Sequence, residues 1–235
     1  MSASAFAANA PALTGGCDTP DVLRRLAIVF ADFESRLAQT PLIRKLTRGR
    51  FTLDDYRGFL CGLRQQVKDG ALWMSRAASN LDERRLELRS TLMRHAVAEH
   101  RDFTLLEADY VAAGGELATI QAAEKSIGAE ALSAWMFHQA SQADPVGLLG
   151  AMWIIEGLGQ IKALEWGRQA QGRLGLPDEA VRFLVYHGQN DAGHIEEFQA
   201  MLRLVLPDPA AARRIVRTAE VTARLYVLQI EEMSP

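Results

Sequence analysis

Residues 146–166 read VGLLGAMWIIEGLGQIKALEW, and between Val146 and Leu158 every residue is apolar or glycine except Glu156. A helix with no polar stripe belongs inside a bundle rather than on its surface. A carboxylate carried there must be protonated, paired with a cation or bound to a metal, because an isolated buried charge is very costly. Gly157 and Gly159 remove side-chain bulk beside it and leave room for another backbone or for a ligand. Fold and chemistry are thus read from one place, a buried helix that carries an acid.

Working outward, Asp144-Pro145 opens this helix, with Asp as N-cap and Pro at N1, and it continues to about Gln171. Ala, Leu, Glu, Arg and Gln dominate the rest of the chain, and β-branched clusters with period-two alternation are absent, so the fold class is all-α. Six further helices are expected. They run from about Pro20 to Ala38, from Thr52 to Asn80, and from Asp82 to Ala113, then from Thr119 to Gln139, from Pro177 to about Leu206, and from Ala210 to Glu231. In the second, Thr52 as N-cap and Asp55 three residues on make a capping pair. The third is long enough to expect a break, placed near Leu88, and the fourth has Gly128 as its interruption. No linker rich in Gly, Pro and Ser divides the chain. Residues 19–235 therefore read as a single helical domain of seven helices, after a disordered lead over residues 1–18 that is small and lacks a basic n-region.

The 235 residues carry a net charge of −3 and are 49% hydrophobic, enough for a substantial core. Without a polybasic patch or an acidic tail, nucleic acid and anionic lipid are not expected partners. The apolar run Leu148–Ile155 is too short to span a bilayer. Cys17 and Cys61 form neither a paired framework nor a CxxC, which fits a reducing, cytoplasmic compartment.

Two other helices carry polar residues in the middle of apolar stripes. In the sixth, steps of three and four place Ala180, Leu184, His187, Asp191, His194, Phe198 and Leu202 on one face. In the third, the stripe is Leu88, Leu92, His95, Glu99, Phe103, Leu106 and Tyr110, with His100 beside it and Asp102 at its edge. Collected, His95, Glu99, Glu156, His187, Asp191 and His194 are three imidazoles and three carboxylates. That mixture suits iron or manganese better than a thiolate-rich structural zinc site or an all-oxygen calcium site. Bland readings compete with this one: Asp191 can simply pair with a histidine in a polar groove, and His95 with Glu99 can be an ordinary i,i+4 pair. Glu156 is the hardest to dismiss, since any account must supply a buried partner. Trp135, His138 and Trp153 read as packing residues, and Glu196 and Glu197 as solvated.

The pairing of LLGAMWIIEGLG with AVRFLVYHGQNDAGHIEEF resembles the heme-oxygenase-like superfamily in its iron-binding, diiron oxidase and oxygenase branch. That branch is related in fold to TenA, the PQQ-forming oxidase and CADD-like proteins. The likeness runs from about Asp21 to Val205, and FTLDDYRGFL is similar to the superfamily too. One late helix in the branch carries His-x3-Asp-x2-His, matched by His187, Asp191 and His194, and a preceding buried helix carries a Glu, matched by Glu156. The earlier helix departs: the family has a Glu followed by a His, whereas here His95 precedes Glu99. If His100, the alternate ligand, stands for the family histidine, Ser90 and Met93 occupy the positions where the acid belongs.

The resemblance implies a seven-helix heme-oxygenase-like bundle holding one or two iron ions. It implies a redox enzyme using O2 on a small organic substrate (an amino acid, amine or carboxylic acid) and assembling as a homodimer. The alternatives are a metal-independent TenA- or PQQ-oxidase-like enzyme whose histidines transfer protons, and a non-catalytic helical binding protein. Heme is disfavoured because the first helix, DVLRRLAIVFADFESRL, has no histidine for a proximal ligand. Thiaminase chemistry is disfavoured because Cys61 has no acid or histidine nearby in sequence to mark it as a nucleophile.

Overall fold

Helices α1 (Thr19–Leu37), α2 (Pro41–Thr47) and α3 (Leu53–Asn80) open the chain in the computed structural model, which describes residues 19–190, 192–206 and 208–233. The side chains of residues 190 and 192–196 also lie outside the description, as does the expected lead over residues 1–18. The capping pair at the start of α3 is formed. Thr52 Oγ1 accepts the Asp55 backbone N–H at 3.1 Å, and Asp55 Oδ2 accepts the Thr52 N–H at 3.0 Å. Asp55 is fully buried, and its other oxygen takes Lys45 Nζ from α2 at 2.6 Å, so α2, a short helix not anticipated from the sequence, is tied to the head of the longest one.

The count of seven helices is not what the structure shows. Among the described residues there are twelve α-helical segments and no strand: α2 is additional, the third, fourth and fifth of the expected long helices are cut, and residue 191, inside the sixth, lies outside the described residues. The third opens as a 3-10 turn (Glu83–Arg85) and restarts at Leu86, close to the break expected near Leu88, and it is cut again at residues 100–102, giving α4 (Leu86–Glu99) and α5 (Phe103–Ala112). The fourth becomes α6 (Leu117–Ala122) and α7 (Ile127–Ala140), with the Ser126 hydroxyl accepting the Ala129 N–H to restart the helix. The fifth is a 3-10 turn at Pro145–Gly147, then α8 (Leu148–Leu158), one π-helical turn (Gly159–Ala163) and α9 (Leu164–Leu174), closed by Gly175 at φ 63°. Asp144 does not cap it. Its carboxylate is taken by Arg214 at 2.9 Å and Arg85 at 3.5 Å. The sixth is α10 (Arg182–Asn190) followed by α11 (Ala192–Val205), and the last is α12 (Pro209–Glu231).

As its composition requires, α8 is the buried helix: Leu148, Leu149, Ala151, Met152 and Ile154 are all within 1% of full burial. It packs most extensively on α12, which also runs against α7 and α1, while α3 packs on α4, α5 and α7. The α8–α12 approach depends on Gly150, where an added Cβ would overlap the Ile215 carbonyl and stand 2.8 Å from Ala219 N. One hydrophobic core extends from Val22 to Met233. Among the described residues no helix is long and apolar enough to cross a membrane.

Candidate metal centre

His95 and Glu99 lie one turn apart on α4, and Asp102 follows in the turn where the backbone keeps helical angles (φ −64°, ψ −26°), so all three stay on one face. His95 is buried, and its Nε2 faces Glu156 Oε1 of α8 at 3.2 Å while its Nδ1 stands 3.8 Å from Glu197 Oε2 of α11. His187 of α10 is buried as well, with Nε2 3.3 Å from Asp102 Oδ2. Glu99, Asp102 and His187 each offer a ligand atom within 4.8 Å of the other two. Ligands sharing one ion through bonds of about 2 Å lie up to about 4 Å apart, so small side-chain rotations bring this trio onto a common ion.

Local features of the backbone seat these groups. The π-helical turn begins three residues after Glu156, and α10 packs against it. Such single-turn bulges are frequent at functional sites. Gly188 makes the approach possible, since a Cβ there would stand 2.6 Å from Leu164 N. The start of α10 is held by the fully buried Asp109, whose Oδ2 accepts the Phe183 N–H at 2.8 Å, one turn before His187.

The electrostatics are those of crowded acids. Burial raises the pKa of the Glu99 carboxyl, and the nearby Glu156 and Asp102 carboxylates raise it further; the two histidines offset only part of this, leaving it at about 7. For His95 burial acts to lower the pKa, but the hydrogen bond and charge of Glu156, with Glu99 and Glu197, outweigh it and push the imidazole up to about 9. Without a metal, the cluster is stabilised by protons.

Of the expected ligands, His95, Glu99, Glu156 and His187 are thus brought together. Asp191 lies outside the described residues, and His194 is on α11 with its side chain outside them. His100 is not part of the group: it is exposed, and its Nδ1 is hydrogen-bonded to the Val97 carbonyl of its own helix at 2.7 Å. Glu197 is not simply solvated, since it faces His95. Two signals in the sequence point to the missed groups. Asp102 is seven residues beyond His95, and Glu197 three beyond His194, both on-face steps of a helix. Trp153 packs at 5.1 Å on Phe198 and donates to the Leu26 carbonyl, and Trp135 packs beside His138.

Glu99, Glu156 and His187 reach into a cavity of about 100 Å³ walled by Phe59, Trp73, Trp166 and Phe183. Two imidazoles and four carboxylates without a thiolate fit a ferrous or manganous ion. A tetrapyrrole does not fit: the cavity is too small and α1 has no histidine.

An all-helical bundle with a carboxylate–imidazole cluster beside an apolar cavity defines a helical protein with a candidate metal centre. Over residues 65–227 the sequence matches the family described as iron-containing redox enzymes, and the chain belongs to that family. Solved structures give the fold as heme-oxygenase-like. A domain of unknown function with that fold from Shewanella denitrificans superimposes with a TM-score of 0.82 at 18% identity, over 93% of each chain. A TenA homologue from Pseudomonas syringae reaches 0.74 at 16% identity, over 93% of this chain and 96% of that one. Heme oxygenase-1 from the cyanobacterium Synechocystis, in complex with heme, reaches 0.67 at 15% identity, over 90% and 91%. No curated protein sequence matches the chain.

Proposed function

We propose that this protein is a non-heme iron oxidase or oxygenase that uses O2 to oxidise a small organic substrate in the cavity, with one or two iron ions held by the cluster. The observation that carries the reading is the convergence of His95 and Glu99 of α4, Asp102 of the turn after it, Glu156 of α8 and His187 of α10, three of which line one cavity. Membership of the iron-containing redox family supports it. Glu99, Asp102 and His187 form one side of the ligand set, and His95, Glu156 and Glu197 the other, with Asp191 and His194 the remaining candidates. When bound, ferrous iron supplies the electrons that reduce O2.

The chain's own residues do the rest. Phe59, Trp73, Trp166 and Phe183 keep bulk water from the cavity and position the substrate beside the ligand set. His95 and Glu99 give up their protons when the metal binds, so loading is coupled to proton release. Anaerobic titration with ferrous iron tests the proposal: one to two ions per chain are expected, and fewer than one overturns it.

A second reading is favoured by the two histidine–carboxylate contacts at 3.2 and 3.3 Å, which are arranged as proton-transfer pairs for a metal-independent TenA-like enzyme. Asp191→Asn and Asp102→Asn separate the readings. The iron enzyme loses metal, whereas the acid–base enzyme stays folded and indifferent to it.

A further inference from the structure

Helix α3 also borders an open space on its other side. Asp54, Gly58, Cys61 and Gln65 follow at on-face steps turned away from the cavity, which takes residues 59, 63, 66 and 70 of the same helix. With the ends of α5 and α12 and the loop before α7, this second face borders a groove of about 530 Å³, a size usual for small-molecule sites. No residue lines both spaces.

At the buried end of the groove is Gln65, only 1% exposed. Its Nε2 donates to the Ala123 carbonyl at 2.5 Å, which leaves Oε1 as the other end of the amide, buried and without a donor. Such an unmatched acceptor costs about 1–3 kcal/mol. The neighbours do not supply the missing N–H or O–H. The Cys61 thiol and Tyr110 hydroxyl are bonded to each other, and Arg57, the only lysine or arginine on the wall, gives Nε and Nη2 to the Ala113 carbonyl at 3.0 and 2.7 Å. The loop that Gln65 holds is itself fixed, since Lys125 meets Asp69 of α3 at 2.6 Å and Ser126 caps α7.

Three carboxylates line the groove, so a cationic donor suits it best. Glu124 follows the residue that Gln65 holds, and Glu232 Oε2 accepts the Gly128 N–H at 2.7 Å, which leaves its second oxygen. Asp54 stands at the far end, eleven residues and about 16 Å back along α3. Between them Gly58 has no side chain and Met233 packs over Gly62, giving an apolar floor. We propose that the groove is a second ligand site, for a linear aliphatic polyamine. One ammonium donates to Gln65 Oε1 beside Glu124, the carbon chain crosses Gly58 and Met233, and a second ammonium reaches Asp54.

Calorimetric titration of the metal-free 235-residue chain with spermine at about 0.15 M ionic strength tests this, with butylamine and Mg²⁺ as comparison probes. One spermine per chain is expected, with butylamine at least about tenfold weaker because it cannot reach Asp54. Gln65→Met and Glu124→Gln are each expected to weaken spermine binding about tenfold. Glu220→Gln, which removes an exposed carboxylate paired with Arg217 outside the groove, should leave it unchanged. Glu124 is exposed, so its variant keeps the site under test if Gln65→Met fails to fold. Absence of spermine binding, butylamine or Mg²⁺ binding as tightly, an affinity unchanged by either groove substitution, or equal weakening by Glu220→Gln would overturn the proposal.

Discussion

Gly150 and Gly70 are both glycines inside helices, yet alanine at the two sites should act with opposite sign. By propensity alone, Gly→Ala in a helix interior gains up to about 1 kcal/mol. At Gly150 the added methyl overlaps the Ile215 carbonyl and lies 2.8 Å from Ala219 N, both backbone atoms of α12 that cannot rotate away. Restoring an ordinary 3.4 Å contact to Ala219 N alone moves α8 off α12 by about 0.6 Å, and the carbonyl overlap demands more. Overpacking of this kind costs about 1–3 kcal/mol, and this is the most extensive helix pair among the described residues, so the upper end applies and, after the propensity gain, a net loss of about 2 kcal/mol is expected. For a chain of this length each kcal/mol moves Tm by about 2–4 °C, giving a fall of roughly 4–8 °C. Gly70→Ala, with open space at its Cβ, should instead raise Tm by about 2–4 °C. Thermal denaturation of metal-free protein followed by circular dichroism measures both. A Gly150→Ala protein that melts within a degree or so of wild type would refute the close approach of α8 and α12, and with it the seat of Glu156 on that helix.

Asp102→Ala should reduce iron bound per chain by at least half in equilibrium dialysis while His100→Ala leaves it unchanged; equal losses would remove Asp102 from the ligand set. Asp109→Asn should change the pH dependence of stability. Burial pushes this carboxyl up to about 6, despite the Phe183 N–H and Arg182 acting to lower it. A raised folded-state pKa means stability fully present below the unfolded value of about 3.8 and lost as pH rises through about 6. The difference between wild type and variant should therefore shrink as pH rises from 4 to 7, by at most about 3 kcal/mol, in urea denaturation; a difference independent of pH would contradict the buried, partly protonated acid. Asp55→Ala removes both the cap of α3 and the Lys45 partner and should cost about 2 kcal/mol in the same assay at pH 7, whereas a loss below about 0.5 kcal/mol would show that Thr52 alone starts the helix.

What could be read from the sequence and what could not divides along a physical line. Helix starts encoded by neighbours three residues apart were legible: the Thr52–Asp55 pair is formed, and α1, α3 and α12 begin and end within one residue of their expected bounds. The buried character of α8 was legible because no face of it could be left in water. The interruptions were harder. At residues 100–102 the chain is turned by short bonds such as Thr104 Oγ1 to the Arg101 carbonyl and His100 to that of Val97, which leave the periodicity of the apolar stripe intact across the break. The π turn is equally silent, since one wider turn shifts a stripe by less than the width of the buried face. Asp144 has the local sequence of a cap, but it is claimed by arginines 59 and 70 residues away, and no window on the chain contains that competition.

The same line runs through the site. Stripe analysis says which face of each helix is buried, and so it nominated His95, Glu99, Glu156 and His187. It does not say which faces meet. That His95 should lie between Glu156 of α8 and Glu197 of α11 depends on how α4, α8 and α11 meet, and that His187 should lie against Asp102 depends on the packing of α10 on the π turn through Gly188. The raised proton affinity of His95 comes from Glu156, Glu99 and Glu197, and that of Glu99 from burial and then from the neighbouring carboxylates, so both depend on how the helices pack. A cluster that concentrates carboxylates beside an aromatic cavity lined by no lysine or arginine is costly for an empty fold and consistent for one that carries its positive charge as a metal ion.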